Sequence, residues 1–248
     1  MINLMQGDCL EMMKNIPDGS VDLTVTSPPY GTTACKWDFV IPFEPMWEQL
    51  KRITKDNGAM LLFGGEPFSS LLRTSNLKGY KYDLVWKKSK CGSALTAKFK
   101  PLTKHENICV FERKGKKTVY KPQMEVGKPY KRTGTKYKVN NHGYGVKSVE
   151  VNNEGTRHPS CILDFPQKWR RQDQVHPTQK PVALMEYLIR TYTNPSETVL
   201  DFTMGSGTTG VAAKNLNRSF IGIELDEKYF KIAQERIEGA NPLNKFME

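Results

Sequence analysis

The sequence predicts an α/β fold, a mostly parallel sheet with helices on both faces. Three observations carry that expectation. Apolar stretches of strand length alternate with amphipathic stretches of helix length towards both ends of the chain. A glycine-rich turn at 201–210 joins one such strand to a helix. A Ser-Pro-Pro-Tyr turn follows another strand directly, at the end where open α/β sheets bind ligands.

In chain order, 2–6 reads as a short apolar strand and 9–16 as a short helix. Residues 21–26 alternate as a strand, 44–53 carries a helical repeat and 59–63 is an unbroken apolar run, as in a buried strand. Helix 68–75 and strands 82–87 and 106–112 complete the first 112 residues. After residue 172, Pro181 opens an amphipathic helix to Tyr192, at a first turn where the missing N–H of proline removes no hydrogen bond. Strand 198–202, the glycine turn, helix 208–215, strand 219–224 and helix 227–237 follow. There is no internal repeat.

The 248 residues suit one domain with a sizeable insertion. A hydrophobic fraction of 38% with 10% aromatics is too apolar for a disordered chain. No apolar run approaches the ~20 residues that span a bilayer, so no membrane role is expected. The first residues, Met1-Ile2-Asn3-Leu4-Met5, lack the basic flank and apolar core of a signal peptide. Five scattered cysteines without a Cys-x-x-Cys, and four histidines without ligand spacing, predict neither a disulfide framework nor a metal site. The chain reads as soluble, reduced and intracellular.

The formal net charge is +11, and it is unevenly placed. Residues 113–172 hold 15 Lys+Arg against 4 Asp+Glu, and the 22 basic and 22 acidic residues elsewhere cancel. Tyr120, Tyr130, Tyr137 and Tyr144 punctuate this segment without helical or strand periodicity. A solvated insertion is one reading. Confinement of the whole excess beside a neutral scaffold, with aromatics interleaved, favours a polyanion-binding module. Three parts are therefore expected: 1–112, a basic insertion at 113–172, and 173–248.

Gly205, Gly207 and Gly210 satisfy G-x-G-x-x-G, and Glu224 ends the next strand. Such glycines let backbone approach a nucleotide, and a carboxylate so placed accepts from ribose hydroxyls. The alternative is a tight turn and nothing more. A dehydrogenase fits poorly, because only 24 residues follow Glu224 and the rest of the sheet must come from the N-terminal half. Asp201, beside the loop, suits a cationic cofactor better than a pyrophosphate.

In Ser27-Pro28-Pro29-Tyr30 two prolines fix the backbone. The turn can aim two acceptors, the Ser27 hydroxyl and the Pro28 carbonyl, at one amino group, while Tyr30 stacks on the ring that bears it. A merely proline-stiffened loop is the plainer reading. Thr26-Ser27-Pro28-Pro29-Tyr30, His176-Pro177-Thr178-Gln179-Lys180-Pro181 and the stretch from Asp201 to Thr209 together resemble the β group of DNA amino-methyltransferases. Those enzymes use S-adenosylmethionine (SAM), and the resemblance covers essentially all of 1–240 outside the basic segment.

The resemblance implies a Rossmann-like methyltransferase sheet with circularly permuted motif order, the catalytic motif preceding the cofactor motif and the basic target-recognition segment between them. It makes Ser27, Pro28, Pro29 and Tyr30 catalytic. It gives Asp201, Phe202, Gly205, Gly207 and Thr208 to the methionine side of the cofactor, Glu224 to its ribose, Asp8 to its adenine, and His176, Thr178 and Lys180 to its carboxylate. The implied partner is double-stranded DNA with a flipped base, in the cytoplasm of a bacterial cell or of a phage's host. Members often dimerise and can accompany a restriction endonuclease; both stay open.

Two accepted N–H bonds would favour a pyramidal amine and stabilise its developing positive charge. Carbon-5 methylation needs a nucleophilic Cys, usually after Pro, and the sequence has no Pro-Cys pair. Ser in the first catalytic position leaves cytosine N4 open beside adenine N6. The continuation to Trp37-Asp38 looks more like adenine-modifying members, and Trp37 is either a second stacking surface for the base or a structural residue. An RNA or protein-glutamine methyltransferase and a non-catalytic DNA-binding protein are the other readings.

Overall fold

The structure, a computed structural model, describes residues 1–35, 37–92, 96–113, 117–132, 138–139, 145–146, 150–167 and 174–240, with only the backbone at 138–139 and 145–146. The first stretch of chain forms β1 (Ile2–Gln6), α1 (Cys9–Met13), β2 (Val21–Thr26), α2 (Phe43–Ile53), β3 (Thr54–Gly64), α3 (Phe68–Ser75), β4 (Tyr80–Gly92) and β5 (Thr103–Glu112). Six short strands follow: β6 (Glu125–Val126), β7 (Tyr130–Arg132), β8 (Lys138–Val139), β9 (Gly145–Val146), β10 (Val151–Asn153) and β11 (Thr156–Arg157). The chain ends with β12 (Ile162–Asp164), α4 (Val182–Tyr192), β13 (Thr198–Asp201), α5 (Thr208–Asn215), β14 (Ser219–Glu224) and α6 (Glu227–Gly239).

The main sheet has eight strands in the order β1-β14-β13-β2-β3-β5-β4-β12. All its pairs are parallel except those of β5, which runs against both β3 and β4. Side chains alternate as the pleat requires. Ala59, Leu61 and Phe63 of β3, with Ile108 and Val110 of β5, join Leu184, Leu188, Ala212 and Ile237 on the α4–α6 face. Met60, Leu62, Cys109 and Phe111 face the other way, onto Met13, Met46, Leu50 and Leu72 of α1–α3. Helix α2 buries Met46, Trp47, Leu50 and Ile53, one stripe at helical spacing, so its packing follows from its sequence.

Order within the sheet places the site. Strand β2 leads through α2 to β3 on one side, while β13 leads through α5 to β14 on the other, so the connections diverge at the β13–β2 pair. Open α/β sheets bind ligands in the crevice at the carboxyl ends of such a pair. Both ends of this pair are pinned. At the amino ends, Asp22 accepts from Lys55 (2.8 Å) and from the Thr198 N–H (2.9 Å). At the carboxyl ends, the Thr26 hydroxyl donates to Asp201 (2.8 Å).

Packing divides the chain into two compact units, Met1–Lys121 with Cys161–Glu248, and Pro122–Ser160. The second unit lies inside the basic 113–172 segment, whose tyrosines show no strand periodicity, yet it forms short strands. It pairs β7 with β10, β6 with β11, and β8 with β9, all antiparallel. The Arg157 guanidinium of β11 lies 4.7 Å from the Tyr130 ring centroid of β7 and so ties two of these ribbons together. Tyr137 and Tyr144, singled out in the sequence, lie outside the described residues. Strand β12 corrects the assignment of all of 113–172 to an insertion, for it pairs with β4 at the edge of the main sheet.

Candidate active site

The carboxyl ends of β2 and β13 open onto a cavity of about 450 Å³. Of the residues the sequence singles out, Asp8, Ser27, Pro29, His176, Thr178, Lys180, Asp201, Phe202, Gly205, Thr208 and Glu224 line it. Phe39, Ile41 and Tyr229 add apolar wall that sequence reasoning missed. Pro28, Tyr30 and Gly207 are not among its lining. Pro28 is buried, and Gly207 is the N-cap of α5 at φ +77°, where a Cβ would come within 2.9 Å of Ala233. Gly207 therefore permits close packing of α5 on α6.

Cofactor-side residues form a continuous wall. Glu224 accepts the Gly205 N–H (2.8 Å) at one oxygen and the Asp226 N–H (2.9 Å) at the other, which holds the loop and the carboxylate together. Burial raises its carboxyl above the ordinary value, against the pull of those N–H groups. Asp201 is buried and accepts from Thr26, from Thr209 (2.6 Å) and from the Thr203 N–H (3.2 Å). Burial pushes its pKa up to about 6 in spite of these donors. Asp8 also caps α1, accepting from the Leu10 N–H at 2.8 Å.

His176 Nδ1 accepts the Thr178 N–H (3.2 Å), and its ring lies 4.3 Å from that of Tyr229 and 5.5 Å from that of Trp37. Burial, reinforced by the Lys180 charge, lowers its pKa to about 4, so it is neutral at physiological pH. Trp37 thus packs on His176 and lines the same cavity. Asp38 accepts the N–H groups of Gly31, Thr32 and Thr33 at 2.7–2.9 Å and so fixes the chain that follows the Ser27 turn.

The reacting side holds the main departure from expectation. The resemblance gives Lys180 to the cofactor's carboxylate. In the structure this buried ammonium donates to Ser27 Oγ (3.0 Å) and the Thr178 carbonyl (3.2 Å) and pairs with Glu106 (3.2 Å). Glu106, which sequence reasoning missed, also pairs with Lys88 at 3.0 Å. A signal was present: Glu106 shares its strand face with Ile108 and Val110, and a carboxylate in a core-facing register requires partners. Tyr30 hydrogen-bonds Ser27 (3.1 Å) and Glu106 (3.4 Å), and one face of its ring stacks on Phe68 at 5.0 Å.

The model of the N6_N4_Mtase family, described as DNA methylase, matches residues 21–235. The chain is 29% identical over 251 residues to the type II methyltransferase M.HpaI of Haemophilus parainfluenzae, across 95% of this chain and 74% of that protein. It is 30% identical over 256 residues to the type II methyltransferase M.BglII of Bacillus subtilis, across 94% and 68%. Among solved structures, the M1.HpyAVI–SAM complex superposes with a TM-score of 0.66 at 27% identity, covering 96% of this chain and 99% of that one. The permuted order of the two motifs, the cavity they share and these matches agree that the chain belongs to the N6/N4 DNA methylase family and is a DNA methyltransferase.

Proposed function

We propose that the chain transfers a methyl group from SAM to the exocyclic amine of a base flipped out of double-stranded DNA, with adenine N6 as the target, in a bacterial cytoplasm. The observation that carries this reading is the β2–β13 junction. One strand pair sets a turn that can hold an amine beside a loop that can hold a nucleoside.

The residues present fit SAM. The cavity volume suits a small molecule, and its wall combines three carboxylates with the aromatic rings of Phe202, Phe39 and Tyr229. Glu224 would take the ribose and Asp8 the adenine. Asp201, Phe202, Gly205 and Thr208 would hold the methionine side, and His176 and Thr178 would close over it. When bound, SAM supplies an electrophilic methyl group. Ser27 Oγ and the Pro28 carbonyl would accept both N–H bonds of the target amine, orient its lone pair and stabilise the charge that develops on nitrogen. The face of Tyr30 opposite Phe68 would stack on the base, which must leave the duplex to reach the turn.

Both candidate bases present the same two donors to Ser27 and Pro28. The choice of adenine therefore rests on the loop from Gly31 to Asp38, which resembles that of adenine-modifying enzymes. Cytosine N4 is the alternative. Two surfaces would meet DNA: the Pro122–Ser160 unit, and the β4–β5 hairpin, which carries six lysines and no acid between residues 87 and 105. Incubation with labelled SAM and DNA, RNA or protein in parallel, then nucleoside mass spectrometry, tests the proposal. N6-methyladenine in DNA is the expected product. N4-methylcytosine alone would overturn the base, and absence of label in DNA would overturn the reading.

A further inference from the structure

We propose that Glu106 is a positioning residue that fixes the Ser27 hydroxyl as a hydrogen-bond acceptor for the target amine, acting through Tyr30 and Lys180. The inference rests on the role of Ser27 under the proposed function.

A serine hydroxyl has one proton to give and two lone pairs to receive. Whether it helps or hinders an incoming amine depends on where that proton points. An ammonium can only donate, so the 3.0 Å contact from Lys180 takes one lone pair of Ser27 Oγ. An ionised carboxylate can only accept, so the 3.4 Å contact between Tyr30 and Glu106 uses the tyrosine proton. Having given that proton to Glu106, Tyr30 has none for Ser27, and the 3.1 Å contact between the hydroxyls must be Ser27 donating to Tyr30. One lone pair on Ser27 Oγ is left. It is an acceptor with its direction fixed, as the N–H bond of the target amine requires.

Glu106 is the end of this chain that sets the polarity. Burial works to raise its carboxyl, but the charges of Lys180 and Lys88 outweigh burial and hold it below the usual carboxylate range. It is therefore ionised at neutral pH. Burial and the neighbouring Glu106 charge raise the Tyr30 phenol well above its ordinary value, so it keeps its proton. Lys180 is held in turn. Its three N–H donors have three acceptors, Ser27, Glu106 and the Thr178 carbonyl. Removing the carboxylate would free the lysine to turn away and allow Tyr30 to donate to Ser27. The serine proton would then point towards the amine and oppose its N–H.

Glu106→Gln keeps the shape and removes the charge, and an amide can present a donor to Tyr30. We expect kcat to fall about 10- to 100-fold, the range for losing a hydrogen bond to a charged group. KM for SAM and for DNA should stay within about threefold, since ground-state binding is untouched. Tyr30→Phe, which keeps the stacking ring and cuts the relay, should lower kcat in the same direction and serves if the Gln variant folds poorly. The deciding measurement is a double-mutant cycle with Ser27→Ala. If Glu106 acts through Ser27, Glu106→Gln should cost nothing further in the Ser27→Ala background, with unchanged SAM affinity by calorimetry in every variant. Losses that multiply independently, or a Gln variant with full turnover, would overturn the role of Glu106 alone. Full turnover in Ser27→Ala would instead remove Ser27 from the chemistry, and the role of Glu106 with it, while methyl transfer to DNA would stand.

Discussion

Asp201 is the residue whose setting states most about what the cavity is for. A carboxylate with a pKa of about 6 in a buried wall is ready to be neutralised by a positive ligand. Its folded pKa lies above the ordinary aspartate value of 3.8, so without a ligand Asp201 contributes stability that is lost as pH rises from about 4 through about 6. A cationic cofactor prefers the ionised form and reverses that trend on binding. SAM affinity, followed by calorimetry, should weaken as pH falls below about 6, by at most about tenfold per pH unit. Asp201→Asn should flatten this dependence, and a slope unchanged in the variant would assign it to another group. Ser27→Ala should leave SAM and DNA affinity near normal while methyl transfer falls strongly, because its hydrogen bond matters most at the transition state. Asp201 and Ser27 were legible from the sequence because each belongs to a compact motif. Glu106 was not, because its partners Lys180 and Tyr30 lie 74 and 76 positions away and only the fold brings them together.

At the scale of elements, α3, α5, β2 and β14 match the sequence reading to the residue. Turn signals bound them, such as the Ser-Pro-Pro turn after β2 and the glycine turn before α5, although α5 itself carries little apolar periodicity. The misplaced elements share a cause. Strand β4 was expected to end at Lys87 but continues to Gly92, beyond the point where Gly64 closes β3. The two strands of this hairpin project past the core, so Lys87, Ser89, Lys90 and Cys91 are exposed and no apolar alternation remains to read. Strand β12 escapes for a similar reason, since only Leu163 of its three residues is buried. The antiparallel run of β5 leaves no trace in its own residues. The glycine turn lies where the sequence places it, and its glycines differ in how tightly they are packed. At Gly205 a Cβ would meet His176 at 3.6 Å, an ordinary contact, whereas at Gly207 it would meet Ala233 at 2.9 Å. Gly207→Ala should therefore destabilise the fold by roughly 1–3 kcal/mol through αL strain and overpacking, and so lower the melting temperature. An unchanged melting temperature would show that α5 and α6 yield without strain.

For the whole molecule, the distribution of charge decides how DNA would be held. Summed over windows, the excess falls within 113–172 and the remainder cancels to zero. The fold undoes that cancellation. Acids on β1–α3 and α4–α6 do not neutralise lysines on a hairpin that extends from the carboxyl edge of the sheet. Lys90, Lys98, Lys100 and Lys104 are exposed there, and Phe99, 87% exposed, sits between two of them. A basic arm on the edge that carries Ser27 is as well suited to phosphates as the Pro122–Ser160 unit, whose Lys128, Lys131 and Arg132 are exposed on β7 and beside it. Each phosphate contact releases counterions, so the slope of log affinity against log salt counts contacts, at about 0.9 per contact on duplex DNA. Lys98→Gln with Lys100→Gln should reduce that slope by up to about 1.8, and Lys128→Gln, Lys131→Gln with Arg132→Gln by up to about 2.7. SAM binding should survive in both sets, since none of these residues lines the cavity. Fluorescence anisotropy across a salt series reads the result. A hairpin set that keeps the full slope would confine DNA contact to the other surface, and full slopes in both sets would mean that neither basic surface touches phosphate.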